Sequence, residues 1–555
     1  MKSNKAGKDK FGSPILHNAF ADIAAPTLIL LAPFVNFLTF NRYNYLQPEI
    51  FWLLAPVLII GLILGLIMFW GGQVVRVPLI TVMLSFVIES LFESLGLKLI
   101  IAVTLVIAWV LREHITKIVA IAFLVMVLST ALIPGDRQAG TQTTRTNKEV
   151  ENDSSKDLPL VIHLILDEHI GIEGIPEEVE NGDLLKKELK VFYENYGFRL
   201  YGRAFSQYYN TSNSISNTLN FTSKNIQKYY FLTSNQKILK ENAYFRLLSD
   251  RGYNLRVYQS TYIDFCQAPE VRIVSCATYP DNSIKSIESI PINFKEKARF
   301  IWHSLLSAST SQRLHWVRKK YLNLREGARA RGWNIPPWHS RSPRTGPIAP
   351  MPVIEEMWDH IPGSPNGTVF FAHLLLPHYP YVYDKNCSTR ENIYDWLDHR
   401  VRDWHENADE KPMSNRRNDR ESRAKRYKLY FEQIQCQQRM LGELFDNMRN
   451  AGVFERAIII IHGDHGSRIG EVSPAFKNKN MLTAHDYTDG FSTLFAVKLP
   501  GLPSGYDDSM TPIQELLARS FGNEQVEVEP GIVFLRDKRD AGASMVSQPM
   551  VWFDQ

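Results

Sequence analysis

Residues 456–470 read RAIIIIHGDHGSRIG, and residues 158–169 read LPLVIHLILDEH. Each is a short apolar run that stops abruptly at side chains able to bind a metal. A run as short as Ile458–Ile461, rich in β-branched residues, reads as a buried strand rather than a helix. Three more runs read the same way: YNLRVYQS at 253–260, TVFFAHLLLP at 368–377 and STLFAVKLP at 492–500. Amphipathic stretches separate them, notably around 424–451, where the pattern ends in a glycine-containing cap. Strands alternating with helices predict an α/β domain with a mostly parallel central sheet. In such sheets ligand chemistry gathers at the carboxyl ends of the strands. The polar clusters after Leu166 and Ile461 stand at two of those ends.

Asp167 and Glu168 follow the first run; Asp464 and His465, with His462 beside them, follow the second. Carboxylate oxygens and imidazole nitrogens together suit a divalent cation such as zinc or manganese. Acidic residues at strand ends also serve as caps and turn formers, so Asp167 and Glu168 alone say little. IIIIHGDHG says more, because Gly463 and Gly466 let the backbone turn sharply around an Asp-His pair.

GDHGSRIG resembles the metal-binding signature of the alkaline phosphatase/sulfatase superfamily, and LILDEH resembles that fold's first metal-binding strand. FAHLLLPHYPYVYD, at 371–384, is similar to the superfamily's His-x-Pro segment. The resemblance spans about residues 158–500. It extends to the architecture of the membrane-anchored branch, the phosphoethanolamine transferases and lipoteichoic acid synthases. It implies that His378 faces substrate and that His485 contacts the metal or the transferred group. Arg468 would clamp a phosphate or sulfate through its planar fork, or is an ordinary surface arginine. His373, inside an apolar run, reads as a hydrogen-bonded core residue. The transferases carry Glu-Thr or Glu-Ser where this chain has Asp167-Glu168, which leaves open which carboxylate binds metal.

The nucleophile should lie between the first metal strand and the His-x-Pro segment. The C/S-x-P-S-R motif of ordinary sulfatases does not occur. Instead, AFSQYYNTSNSISNTLNF at 204–221 is similar to the segment in which the transferases begin a helix with a threonine. Thr211 takes that position, with Ser212 and Ser214 as fallbacks. A metal and a helix N-terminus would together activate its hydroxyl. The competing reading makes Thr211 and Ser212 no more than a helix N-cap.

The chain has 555 residues, a net charge of +4 and 45% hydrophobic residues, but the average hides a division. After a lysine-rich start, apolar segments run roughly 21–40, 50–70, 77–95, 98–112 and 118–134. Each approaches the ~20 residues that span a bilayer core, which predicts about five transmembrane helices within residues 1–136. Lys and Arg near the segment ends place the N-terminus inside and everything after about 136 outside the cytoplasmic membrane. Residues 137–157 read as a linker, 158–540 as the catalytic domain and 541–555 as a tail. Residues 294–346 interrupt the domain with basic residues and Trp302, Trp316, Tyr321, Trp333 and Trp338. Such a segment lies on an anionic membrane surface, or packs as an insertion on the main domain. All four cysteines (266, 276, 387, 436) fall in the outer part, which suits an oxidising compartment: they either pair, Cys266 with Cys276 and Cys387 with Cys436, or stay as four buried thiols. The small net charge gives no reason to expect a nucleic-acid partner.

The function these readings favour is a metal-dependent transferase moving phosphoethanolamine or phosphoglycerol from a membrane phospholipid to an envelope glycan or lipid through a covalent threonine ester. Asp167, Glu168, Asp464 and His465 would hold one divalent cation (zinc or manganese, with calcium or magnesium as alternatives). The alternative is a sulfatase-like hydrolase of phosphate or sulfate esters using the same site.

Overall fold

The computed structural model describes residues 14–91, 97–132, 142–143, 158–224, 230–232, 237–239, 241–267, 271–281, 283–308, 315–333, 345–393, 396, 418, 420–537 and 545–552. The chain divides into two compact units: residues 1–139 with 287–343, and residues 140–286 with 344–555.

In the first unit the apolar segments are helical: α1 (Pro14–Phe40), α2 (Pro48–Leu91), α3 (Leu97–Val110) and α4 (Ile115–Leu132). The segments expected at 50–70 and 77–95 belong to one element, broken where Gly72 adopts φ 58°. That left-handed value costs a glycine nothing. Phe20–Phe40, Pro48–Ile88 and Ile115–Leu132 are long and apolar enough to cross a membrane, whereas the stretch 98–110 is shorter. Close packing of α1 on α2 needs small residues, since a Cβ on Gly65 would lie 2.5 Å from Ile23 Cα. Buried Asp22 pairs with Arg76 at 2.5 Å, so neither charge is left alone among apolar helices. The helix Phe294–Ala308 packs against α2, Phe294 meeting Trp52 edge-on. Trp302 and Trp333 are exposed, while the Trp316, Tyr321 and Trp338 side chains lie outside the described residues.

The second unit is an α/β domain around a nine-stranded sheet. Its strands are β1 (Gln142–Thr143), β2 (Val161–Leu166), β3 (Arg199–Tyr201), β4 (Asn254–Ser260), β5 (Ile273–Tyr279), β6 (Thr368–Leu374), β7 (Ile458–Gly463), β8 (Phe495–Lys498) and β9 (Gly505–Asp507). Their spatial order is β1-β5-β4-β6-β2-β7-β8-β3-β9. The middle five, β5-β4-β6-β2-β7, are parallel, and β1 and β8 join them antiparallel. All five expected strands are present.

The central strands are buried on both faces, which is why they read as unbroken apolar runs. Ile162, Leu164, Leu166, Phe370, Ile459 and Ile461 turn to one side, where α5 (Gly182–Asn195) and α7 (Arg420–Asn450) cover them. Val161, Ile165, Phe371 and Ile460 turn to the other, against Ile215 and Leu219 around α6 (Thr211–Thr218). Leu374, Leu166 and Gly463 stand abreast on β6, β2 and β7. The residues that follow them therefore emerge side by side.

Disulfides join Cys266 to Cys276 and Cys387 to Cys436. The expected C-terminal tail is instead structured over 545–552. Met545–Pro549 pairs antiparallel with Ile532–Arg536, and Trp552 is buried with Phe205, Phe491 and Val533. An alternating pattern this short, lacking apolar residues on one face, carries little sequence signal.

Candidate active site

Asp167 continues the ladder of β2, its N–H donating to Leu374 O at 2.9 Å. Asp464 follows β7 directly, and its Oδ1 accepts from the N–H groups of Glu168 at 3.0 Å and His465 at 2.9 Å. This leaves Asp464 Oδ2 and Asp167 Oδ1 buried without a hydrogen-bond partner among the described residues. His465 Nε2 lies 3.1 Å from Asp464 Oδ2 and 4.0 Å from Asp167 Oδ1. Its Nδ1 donates to Gly466 O at 2.9 Å, which fixes the tautomer and points the Nε2 lone pair at the carboxylates.

Tight backbone turns make this possible. A Cβ on Gly463 would lie 2.4 Å from His169 O, and one on Gly466 would lie 2.5 Å from Asp489 O. Glu168 and Arg468 both hold positive φ, 65° and 57°, a strain characteristic of functional sites.

Electrostatics follows from burial. Burial, then the neighbouring Asp167 charge, pushes the Asp464 carboxyl well above the usual range. Burial also opposes ionisation of Asp167, but the imidazoles of His378, His373 and His465 outweigh it and hold its carboxyl below the usual range. Burial and then Arg468 keep His465 far below the ordinary imidazole value, so it is neutral at pH 7. Two carboxylates and a neutral imidazole converge, and Arg468 Nη2 donates to the imidazole Nε2 at 2.5 Å.

Thr211 opens α6, but it is not the cap. Asn210 holds that position, its side chain accepting from Asn213 N at 3.0 Å. The Thr211 hydroxyl is therefore free to face His465 Nε2, 3.2 Å away. Of the fallback hydroxyls, Ser214 donates to Asp464 O and shares a hydrogen bond with Ser206, while Ser212 bonds Asn210 and Lys237. Ser214 thus supports the loop rather than facing the cluster.

His378 stands opposite. Its Nδ1 donates to Tyr379 O, and its Nε2 lies 3.6 Å from Glu168 Oε1. Arg468 Nη1 reaches the same Glu168 oxygen at 3.4 Å. Among the described residues two groups can hold a cation: Asp167, Asp464 and His465, or Asp167, Glu168 and His378. Thr211, Asp167, His378, Tyr379, Arg468, Tyr262 and Asp281 line a cavity of about 400 Å³. A larger, open groove of about 790 Å³ between α5 and α7 is lined by Lys187, Phe192, Gln435 and Arg439 and holds no such cluster. The chemistry belongs to the smaller cavity.

One expectation does not fit this geometry. His485 is exposed on α8 (Ala484–Phe491), with Nδ1 3.5 Å from Glu178, and belongs to neither cation-binding group nor the cavity lining. The capping box of Thr483 and Asp486 starts the helix here and turns His485 outward. His373 is buried as expected, with Nε2 facing Asp167 Oδ2 at 3.4 Å. His462 is paired instead with His163, Nε2 to Nε2 at 2.8 Å.

Sequence reading missed Gln433. Buried on α7, its Nε2 donates to Pro377 O, His378 O and Pro380 O at 3.0, 3.1 and 3.3 Å. Its Oε1 accepts from Val382 N and Tyr383 N at 2.7 and 3.1 Å. A glutamine on the apolar face of an amphipathic helix was the available signal.

No family model matches the chain, and no curated protein does. Solved structures to which it is similar include a protein of glycosaminoglycan metabolism from Bacteroides thetaiotaomicron, at 12% identity over 71% of this chain and 84% of that one, with a TM-score of 0.40. Another is the C-terminal periplasmic domain of EcEptC from Escherichia coli in complex with Zn, at 12% identity, 74% and 96% coverage, and a TM-score of 0.39. A third is the phosphonate monoester hydrolase of Silicibacter pomeroyi, at 12% identity, 68% and 79% coverage, and a TM-score of 0.37. At such values the function must be read from the site's own side chains.

Proposed function

We propose that the chain is a membrane-tethered, metal-dependent enzyme of the sulfatase-like class. It transfers a phospho-alcohol head group from a membrane phospholipid to an envelope glycan or lipid, with its catalytic domain outside the cytoplasmic membrane. The observation that carries this reading is Thr211, whose hydroxyl lies 3.2 Å from His465 Nε2 and is released from capping by Asn210.

The residues fit a divalent cation. Asp167 Oδ1 and Asp464 Oδ2 are buried and unpartnered among the described residues, and His465 is neutral with Nε2 facing them. Such an arrangement is costly until a positive charge fills it. Asp167, Asp464 and His465 would hold the ion, zinc or manganese by donor type, with Glu168 on the side of His378. When bound, it lowers the pKa of a neighbouring hydroxyl and offsets charge on the ester oxygens.

Thr211 reacts as the alkoxide, its proton having gone to solvent. Its oxygen bonds to phosphorus as the bond from phosphorus to the lipid alcohol breaks. His378, as the imidazolium supported by the Glu168 carboxylate, gives its Nε2 proton to the leaving alkoxide, releasing diacylglycerol. In the second step an acceptor hydroxyl attacks phosphorus, its proton passes to His378 Nε2, and Thr211 leaves. Arg468 steadies the oxygens in transfer.

The test is intact mass spectrometry after incubation with phosphatidylethanolamine or phosphatidylglycerol vesicles, alongside Thr211→Ala. An adduct that requires Thr211, together with diacylglycerol, is the expected result, and its mass names the head group. Metal-dependent cleavage of soluble esters without diacylglycerol would overturn the transferase in favour of a hydrolase.

A further inference from the structure

Arg468 is held in an unfavourable backbone conformation, and the site's own residues do not account for how. The turn that carries it is fixed from behind by a buried polar cluster. Arg468 N donates to Asp489 O at 2.9 Å, and Gly466 N donates to Gly490 O at 3.1 Å. Asp489 is itself immobilised: Arg423 donates Nε to Oδ2 at 3.0 Å and Nη2 to Oδ1 at 3.3 Å, a two-pronged grip. Tyr427 hydroxyl donates to Asp489 Oδ1 and shares a 2.8 Å hydrogen bond with Ser467 Oγ. Ser467 Oγ also accepts from Ile469 N at 3.3 Å. Arg423, Tyr427, Ser467 and Asp489 are all buried, and none touches the cavity.

A buried ion pair is a weak source of stability, because desolvation consumes most of what the charges return. It is a strong source of geometry. α7, α8 and the turn after β7 meet at Asp489, whose backbone carbonyl is bonded to the N–H of the residue at φ 57°. Without that acceptor a non-glycine residue would leave the left-handed region. The guanidinium would then leave Glu168 Oε1, 3.4 Å from Nη1, and His465 Nε2, 2.5 Å from Nη2.

We propose that Arg423, Asp489 and Tyr427 are positioning residues that act through Arg468, holding its guanidinium where the transferred oxyanion binds. This rests on the reading of the cavity as a phosphate-ester site. The cluster's outer end is Glu178, which pairs with Arg423 Nη1 at 2.7 Å and with His485. His485 thus sits at the far end of the support rather than on substrate.

The experiment is a double-mutant cycle on the metal-loaded, full-length protein. Tyr427→Phe keeps the ring and removes both hydroxyl contacts. It is made with Arg468 present and in an Arg468→Ala background, reading the Kd of inorganic phosphate by titration calorimetry and kcat/KM on a soluble phosphate diester. The expected result is about tenfold weaker phosphate binding with Arg468 present and less than twofold weaker in Arg468→Ala. Should Tyr427→Phe not accumulate as folded protein, Arg423→Lys carries the same comparison. Equal losses in both backgrounds, or no loss with Arg468 present, would overturn the proposal. A wild type that cleaves no better than Thr211→Ala would sink the catalytic reading alone, since the phosphate-binding cycle needs no turnover.

Discussion

Replacing Gln433 with leucine tests whether one buried amide holds the segment that presents His378. Leucine matches the shape but removes five hydrogen bonds to the backbone of residues 377–383. Each such bond is worth about 1 kcal/mol net, and a buried group left unpaired costs about 1–3 kcal/mol. Full loss would exceed 5 kcal/mol; relaxation of the segment, which reaches the cavity at His378 and Tyr379, should reduce this to about 3 kcal/mol. For a unit this large that is a fall in Tm of roughly 5 °C. Gln433 touches none of Asp167, Asp464 and His465, so bound metal should be unchanged. The expected signature is a normal metal content by elemental analysis, a lower Tm by calorimetry, and kcat on a soluble phosphate ester down by at least about tenfold, the usual contribution of a general acid being larger. Gln433→Glu keeps the acceptor for Val382 and Tyr383 but places an anion against three carbonyls, and should be no better. Wild-type kcat in Gln433→Leu would refute the idea that this residue positions His378, whatever happens to Tm.

Two further outcomes can be checked together. Asp464→Asn retains the acceptor for the Glu168 and His465 N–H groups but removes one of two crowded buried charges. It should melt at or above the wild type in excess chelator and lose the stabilisation that added zinc gives the wild type, both read by calorimetry. Glu173 is held down to about 2 because Lys190, Tyr506 and Lys186 outweigh the opposing effect of burial. Its ionised form therefore stabilises the fold above about pH 4.5, and this is lost as pH falls toward 2. Glu173→Gln should cost about 1–2 kcal/mol near pH 7, after allowance for solvent screening, and almost nothing near pH 2. A difference from wild type that does not shrink on acidification would contradict this.

The α/β fold was legible because its central strands are buried on both faces, and burial leaves nothing but apolar letters until the chain leaves the sheet. Asp167, Asp464 and His465 were legible for the same reason, as the first polar residues past those ends. Thr211 was ambiguous, since a helix start and a nucleophile need the same residue types; the structure gives the cap to Asn210, and the nucleophile role stays a proposal. The residues misplaced or missed are those whose role depends on a partner far along the chain. His485 looks like a ligand until its helix start turns it outward. Gln433, Arg423 and Asp489 act on backbone atoms of other segments, which leave no trace in a local pattern. In the helical unit, five apolar segments were readable, but not that Gly72 interrupts a continuous element.

The Asp464 side chain accepts a hydrogen bond from the backbone of Glu168, a residue 296 positions earlier. A chain growing from its N-terminal end therefore exposes the first half of the cation site long before the second exists. Closing so long a loop is slow, and it is repaid only when β7 docks beside β2. An ion held by Asp167, Asp464 and His465 together would thus be taken up only after the sheet has closed. On the proposed reading, a chain stalled before β7 would carry Thr211 without Asp464 and His465 beside it.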